Sequence, residues 1–271
     1  MKYSANYTKE LSLSGFDEVK VIYDDHSIEQ ILSFAESRPN QRIILVIKDV
    51  SNFVSKQGYK KLNTIYQTYP ELNISAQIGA AQVFNTKLFD TWNYTPLEMP
   101  HFFGCHITNF EELRAITSCY VVSDIIISEG ICFSLDKVKK ICDEHQIKIR
   151  TYANVAQAGV STIDPILKFF IRPEDITIYE NYIDVIEFWG PEDRQGTLLQ
   201  IYKSGKWYND LNPLIISLDM SIDSRKLLPM WANWRAKCSR LCIQGSSCRM
   251  CWKALEIHDT MKEKGFLIAD K

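Results

Sequence analysis

The sequence predicts an α/β fold: a (β/α)8 barrel of the TIM type over residues 1–208, followed by a cysteine-rich, metal-binding tail over residues 209–271 packed on the barrel. Three observations carry that expectation. Short runs rich in Val and Ile alternate with amphipathic segments through the first three quarters of the chain. Eight such runs occur, the number a parallel barrel of this type requires. The first run leads into DDHS, and no G-x-G-x-x-G or Walker pattern occurs anywhere, which counts against a doubly wound sheet that binds a dinucleotide.

The runs are Val19–Tyr23, Arg42–Lys48, Asn73–Gly79, His101–Ile107, Val121–Ser128, Ile147–Ala153, Ile166–Arg172 and Ile183–Trp189. Several are apolar at successive positions, as expected of strands covered by helices on one side and by the barrel interior on the other. Between them lie the helix-like stretches SIEQILSFAESRP, FVSKQGYKKLNTIYQTYP, NFEELRAITSC and SLDKVKKICDEH. Ser27, Asn109 and Ser134 stand where N-caps are expected, each ahead of an acidic first turn. RQGTLLQIYKSGKWY supplies the eighth helix, and from Asn209 onward the composition changes to prolines, tryptophans and clustered thiols.

Composition narrows the class. Of 271 residues, 46% are hydrophobic and 24% charged, the balance of a folded chain rather than a disordered one. A net charge of -2 gives no overall attraction to nucleic acid or to acidic membranes, so any such attraction has to be local. The longest apolar run is Ile43–Ile47, and MKYSANYTKELSLSG at the amino terminus lacks an apolar signal core. A cytoplasmic protein without membrane contact is therefore expected. Half of the eight cysteines fall within one 14-residue stretch, which suggests metal chemistry in a reducing compartment rather than a disulfide scaffold.

Those four are Cys238, Cys242, Cys248 and Cys251, in a C-x3-C-x5-C-x2-C array. Four soft thiolates in one loop can wrap a single thiophilic centre, either zinc or an iron-sulfur cluster. The five-residue connection is short for a zinc ribbon and suits the wider four-iron four-sulfur cluster, with zinc as the alternative and free thiols as the bland one. From Arg225 to Lys253 the chain carries Arg235, Arg240 and other basic residues but no Asp or Glu. That excess either offsets the charge of the centre or contacts an anionic partner such as RNA, for which Trp234 offers a stacking surface. Cys105, Cys119, Cys132 and Cys142 sit among apolar neighbours and read as small buried hydrophobes.

In a parallel barrel the chemistry lies at the carboxyl ends of the strands. Reading those positions gives Asp24, Asp25, Lys48, Asp49, Gln77, His106, Glu129, Asn154, Gln157, Arg172, Glu187, Asp193 and Arg194. Glu187 lies inside VIEFW, where an acid needs a partner, and Arg172 at the preceding run's end is the expected one. Glu187, Arg172, Glu129 and Asn154 are thus the candidate catalytic residues, with Arg194, Arg235, Arg240 and Trp234 for substrate. The histidines are scattered, with no H-E-x-x-H, and no G-x-S-x-G elbow occurs, so a standard triad or zinc hydrolase has no support.

The barrel rhythm over Val19 to Tyr202, the Glu187-Phe188 pair followed by Gly190, and the terminal thiols together resemble the collagenase-like peptidase family of unassigned catalytic type. The resemblance implies an iron-sulfur barrel protein of the kind that hydroxylates RNA bases or ubiquinone precursors, and at residue level it extends to Glu187. Two functions follow as expectations: an iron-sulfur enzyme acting on an anionic substrate such as RNA, or a non-catalytic barrel with a zinc-stapled tail that binds protein or nucleic acid. A peptidase-like protein is the third.

Overall fold

The computed structural model describes residues 1–6, 15–47, 61–62, 64–65, 67–68, 74–77, 104–107, 111, 113–114, 117, 124–127, 135–154, 171–188, 192–207, 221–222 and 267–268. Eight strands form one sheet: β1 (Lys2–Asn6), β2 (Glu18–Ile22), β3 (Arg42–Val46), β4 (Ile74–Gln77), β5 (Gly104–Ile107), β6 (Asp124–Ile127), β7 (Lys148–Tyr152) and β8 (Val185–Phe188). Every pairing within it is parallel, and the spatial order is β4-β3-β2-β1-β8-β7-β6-β5. The decisive ladder joins the first strand to the last, with Ser4 opposite Glu187 and Ala5 opposite Phe188. Along the sheet, chain order descends from β4 to β1 and continues from β8 down to β5, which is not the strand order of a doubly wound dinucleotide-binding sheet. Among the described residues no ladder joins β4 to β5, but these two end strands still approach within 8 Å between Cα atoms.

The strand count matches the expectation, though one member differs. β1 has the sequence KYSAN and was not among the expected runs. The expected seventh strand, Ile166–Arg172, does not lie between its neighbours, because β7 pairs directly with β8 through Arg150 opposite Val185 and Tyr152 opposite Glu187. Within that run, Ile171 and Arg172 are not in a strand, and residues 166–170 lie outside the described residues. Pro173 sets the local geometry: it starts a 3-10 turn, Pro173–Asp175, that leads into the short helix Ile176–Tyr179.

Of the helices, α1 (Ile28–Glu36) follows β2 and starts where expected. Ser27 Oγ accepts from Gln30 N at 3.3 Å while Gln30 Oε1 accepts from Ser27 N at 2.8 Å, a full capping box. α2 (Leu135–Glu144) precedes β7, α3 is Ile176–Tyr179, and α4 (Glu192–Ser204) follows β8. The outer face of the sheet packs on these helices: Phe188 of β8 meets Tyr202 of α4 edge-on at 4.9 Å and stacks on Tyr3 of β1 at 5.9 Å. Val19, Val21, Ile43, Leu45, Ile125, Ile149 and Ile186 share that outer face by alternation and are buried. The last described elements are two short antiparallel strands, β9 (Ser221–Ile222) and β10 (Leu267–Ile268). The four-cysteine stretch lies between them in the chain, outside the described residues, as does the expected boundary near residue 208.

Candidate active site

Alternation along the strands places Ser4, Glu18, Lys20, Arg42, Asp124, Arg150, Tyr152 and Glu187 on the inner face, opposite the helix-packing residues. A barrel interior is normally filled by branched aliphatic side chains. The inner face of this parallel sheet carries three acids and three bases: Glu18, Asp124 and Glu187 with Lys20, Arg42 and Arg150. All but Arg42, which is partly buried, are withdrawn from solvent.

Arg150 is the hub. Its Nη1 donates to Glu187 Oε1 at 3.0 Å, its Nη2 donates to Glu18 Oε2, and its Nε lies 3.7 Å from Asp124 Oδ2. Arg42 closes the other side, with Nη1 at 3.3 Å from Asp124 Oδ2 and 3.5 Å from Glu18 Oε1. Lys20 Nζ donates to Glu187 Oε2 and stands 5.3 Å from the centroid of the Tyr152 ring. Each carboxylate is thus met by at least one base, the condition under which charge can be kept in an interior at all.

The network has two levels along the strands. Glu18, Arg42 and Asp124 are the first residues of β2, β3 and β6, and mark the amino-terminal side. Tyr152 is the last residue of β7 and Glu187 the last but one of β8, so these two mark the carboxyl-terminal side, and Lys20, the middle residue of β2, reaches Glu187 with its amine. Arg150 spans both. Burial alone would raise the carboxyl of Glu187, but Lys20 and then Arg150 outweigh it and hold the group below its usual range. Asp124 goes the other way: burial raises it despite the attraction of Arg150 and Arg42. Burial also lowers Lys20, with the charge of Arg150 adding to that effect while Glu187 and Glu18 oppose it. Ser4 Oγ and Asp124 Oδ1 are buried with no hydrogen-bond partner among the described residues, so the inner face is polar beyond its own pairing.

The expected partnership of Arg172 with Glu187 is not formed. Arg172 bonds Asp175 through Nε at 2.5 Å and Nη2 at 2.8 Å, three residues along its own turn, since its segment is not a strand beside β8. Lys20 and Arg150, on β2 and β7, take its place. Asn154 is buried just beyond β7, where Ala153 N donates to Glu187 O at 3.0 Å and keeps this end of the ladder closed. Arg194 is half-buried on α4. Gln77 ends β4, and His106 on β5 pairs in register with Ile126 of β6. Glu129, Trp234, Arg235, Arg240 and the thiols of Cys238, Cys242, Cys248 and Cys251 lie outside the described residues.

Five members of the network, Glu18, Lys20, Arg42, Asp124 and Arg150, were not anticipated. For two of them the signal was present: Lys20 stands between Val19 and Val21, and Arg150 between Ile149 and Thr151, a charge flanked on both sides by β-branched residues. Among the described residues no group of three or more His, Cys, Asp or Glu side chains has the arrangement of a metal site. Cys142 is a buried free thiol, pushed up to about 12 mainly by burial.

No family model and no curated protein matches the chain. Among solved structures, it is similar to an aldo-keto reductase from a Medee basin deep-sea metagenome library, at 13% identity and a TM-score of 0.38, covering 71% of this chain and 81% of that one. It is also similar to SacUVDE, at 13% identity and a TM-score of 0.33, covering 75% of this chain and 97% of that one. No helix among the described residues is long and apolar enough to cross a membrane.

Proposed function

We propose that the chain is an enzyme built on a closed (β/α)8 barrel, acting on an anionic substrate such as RNA, with a four-iron four-sulfur cluster held by Cys238, Cys242, Cys248 and Cys251. The observation that supports catalysis is the buried network of six charges. Well-packed apolar residues of similar volume commonly stabilise a core as well as or better than a buried ion network, so stability alone is a weak reason to keep one. Its carboxyl-side part, Tyr152 and Glu187 with the Lys20 amine bonded to Glu187, lies at the end where barrels of this type carry their chemistry. There the Glu187 carboxylate accepts a proton, Arg150 fixes its orientation, and Asn154, with Glu129 from the segment after β6, is a polar group offered to substrate. Arg194, Arg235, Arg240 and Trp234 contact the anionic partner through charge and stacking.

The donor set fits the metal centre: four thiols in 14 residues, among basic neighbours that offset thiolate charge. When bound, such a cluster supplies one-electron redox chemistry or a Lewis-acidic iron. The test is anaerobic purification with iron, acid-labile sulfide and zinc assayed on one sample. Iron with sulfide and a broad band near about 400 nm, bleached by any one Cys→Ser change, is the expected result. Stoichiometric zinc without iron after reconstitution overturns the cluster and favours a zinc-stapled binding tail. Replacing Arg235 and Arg240 with Gln should weaken RNA binding and flatten its salt dependence while the metal stays; unchanged binding removes RNA from the reading.

A further inference from the structure

We propose that Lys20 is a nucleophilic amine that forms an imine with the carbonyl carbon of a small aldehyde, ketone or 2-oxo acid, with Glu187 as its proton acceptor. This rests on the reading of the carboxyl end of the strands as the active end, and is independent of the metal. Lys20 Nζ donates to Glu187 Oε2, Arg150 Nη1 holds Oε1 of the same carboxylate at 3.0 Å, and the Tyr152 ring lies 5.3 Å from the amine. Tyr152 ends β7 and Glu187 stands next to the end of β8, so the amine of the mid-strand Lys20 meets groups from the end of the sheet at which a barrel takes its substrate. Charge compensation alone would favour arginine, whose planar fork suits a buried carboxylate. Lysine differs in being able to lose a proton and present a lone pair.

The step balances without an oxidant. Glu187 takes one proton from the ammonium, and the freed lone pair attacks the carbonyl carbon while the π electrons move to oxygen. The two protons still on nitrogen pass to that oxygen, one of them relayed by Glu187, so that it leaves as water and the nitrogen lone pair closes the carbon-nitrogen double bond; the third proton of the original ammonium stays on Glu187 or goes to solvent. The groups facing the amine are Glu187 of β8, Arg150 and Tyr152 of β7 and, on its own strand, Glu18. Burial and Arg150 favour the neutral amine, and the two carboxylates favour the ammonium, with a net lowering from the ordinary lysine range. An exposed lysine near its ordinary pKa of about 10.4 is almost wholly protonated at neutral pH; Lys20 differs in having the Glu187 carboxylate in contact with its amine to take the proton.

The full chain is incubated with pyruvate, and separately with acetaldehyde, at neutral pH with cyanoborohydride, and the reduced adducts are mapped by peptide mass spectrometry. Labelling of Lys20 at least about tenfold above the exposed Lys2 and Lys206 is expected, as for a lysine activated by its surroundings. Glu187→Gln should shift the pH profile of that labelling, and Lys20→Arg, checked for folding by circular dichroism, should leave only the background of the exposed lysines. No adduct at Lys20 in the wild-type chain, or labelling spread as in the urea-unfolded chain, overturns the proposal. Failure at Lys20 with iron, sulfide and RNA binding intact leaves the proposed function standing, and selective labelling without iron leaves the lysine standing alone.

Discussion

Arg150 donates to Glu187 at 3.0 Å inside the sheet, and the same guanidinium also bonds Glu18 on the opposite side of β1. One side chain therefore ties β7 to β8 and to β2, across the junction where the first and last strands meet. Its own proton is held more tightly than usual, because Glu187, Glu18 and Asp124 outweigh the effect of burial.

Arg150→Met would leave three buried carboxylates facing two bases. A loss of about 3 to 5 kcal/mol is expected, the cost of breaking a buried ion pair by removing one partner. Arg150→Lys should retain part of the stability, since a single ammonium restores the charge but not the fork that reaches two carboxylates at once. Urea denaturation monitored by circular dichroism, with the slope checked for constancy, measures both. A Met variant within about 1 kcal/mol of wild type would mean that the network contributes no more than exposed ion pairs do.

Much of this fold could be read from the sequence because its outer face is apolar in the ordinary way. Ile43, Ile125 and Ile149 mark their strands by β-branching, Leu45 is buried beside them, and Ser27 with Gln30 marks the start of α1. β1 escaped notice because Lys2, Ser4 and Asn6 occupy every second position of a five-residue strand, leaving Tyr3 and Ala5 as its only apolar residues. Ile166–Arg172 misled because apolar composition does not distinguish a barrel strand from another buried segment. The site was legible only at Glu187. Its partners come from β2 and β7, and Lys20 lies 167 residues away, so no local spacing announces the pairing.

Asp124 and Glu187 meet the same arginine, yet their neutral substitutions should act in opposite directions with pH. Asp124 has a raised pKa in the fold, so the folded state takes up its proton more readily than the unfolded chain does. Ionisation of Asp124 therefore costs stability as pH rises from about 3.9 through the raised value. Asp124→Asn is spared that cost, and its stability relative to wild type should rise across this window. Glu187 is lowered, so its contribution is fully present above about 4.3 and is lost as pH falls through its folded value. Glu187→Gln should be the less stable protein at neutral pH and converge on wild type in acid. Chemical denaturation of the three proteins from pH 3 to about pH 7 checks the signs. Parallel curves for the two variants would contradict the opposite placement of the two carboxylates.

Thiol chemistry separates the cysteines by what protects them. Cys142, on α2, is buried, and its thiol is pushed up to about 12, chiefly by burial, with Asp143 adding to it. At pH 8 only about one thiol in ten thousand would then be thiolate, the form that reacts, so native protein should leave Cys142 unlabelled by iodoacetamide. On the proposed function, Cys238, Cys242, Cys248 and Cys251 should also resist, but for a different reason: a bound centre would occupy their sulfurs. Extracting the metal with a chelator under reducing conditions should make these four reactive while Cys142 stays protected until urea unfolds the barrel. Peptide mapping before extraction, after it and in urea resolves the two groups. Rapid labelling of Cys142 in the native chain would contradict its burial, and four tail thiols that react at once without a chelator would remove the shared metal centre from the proposed function.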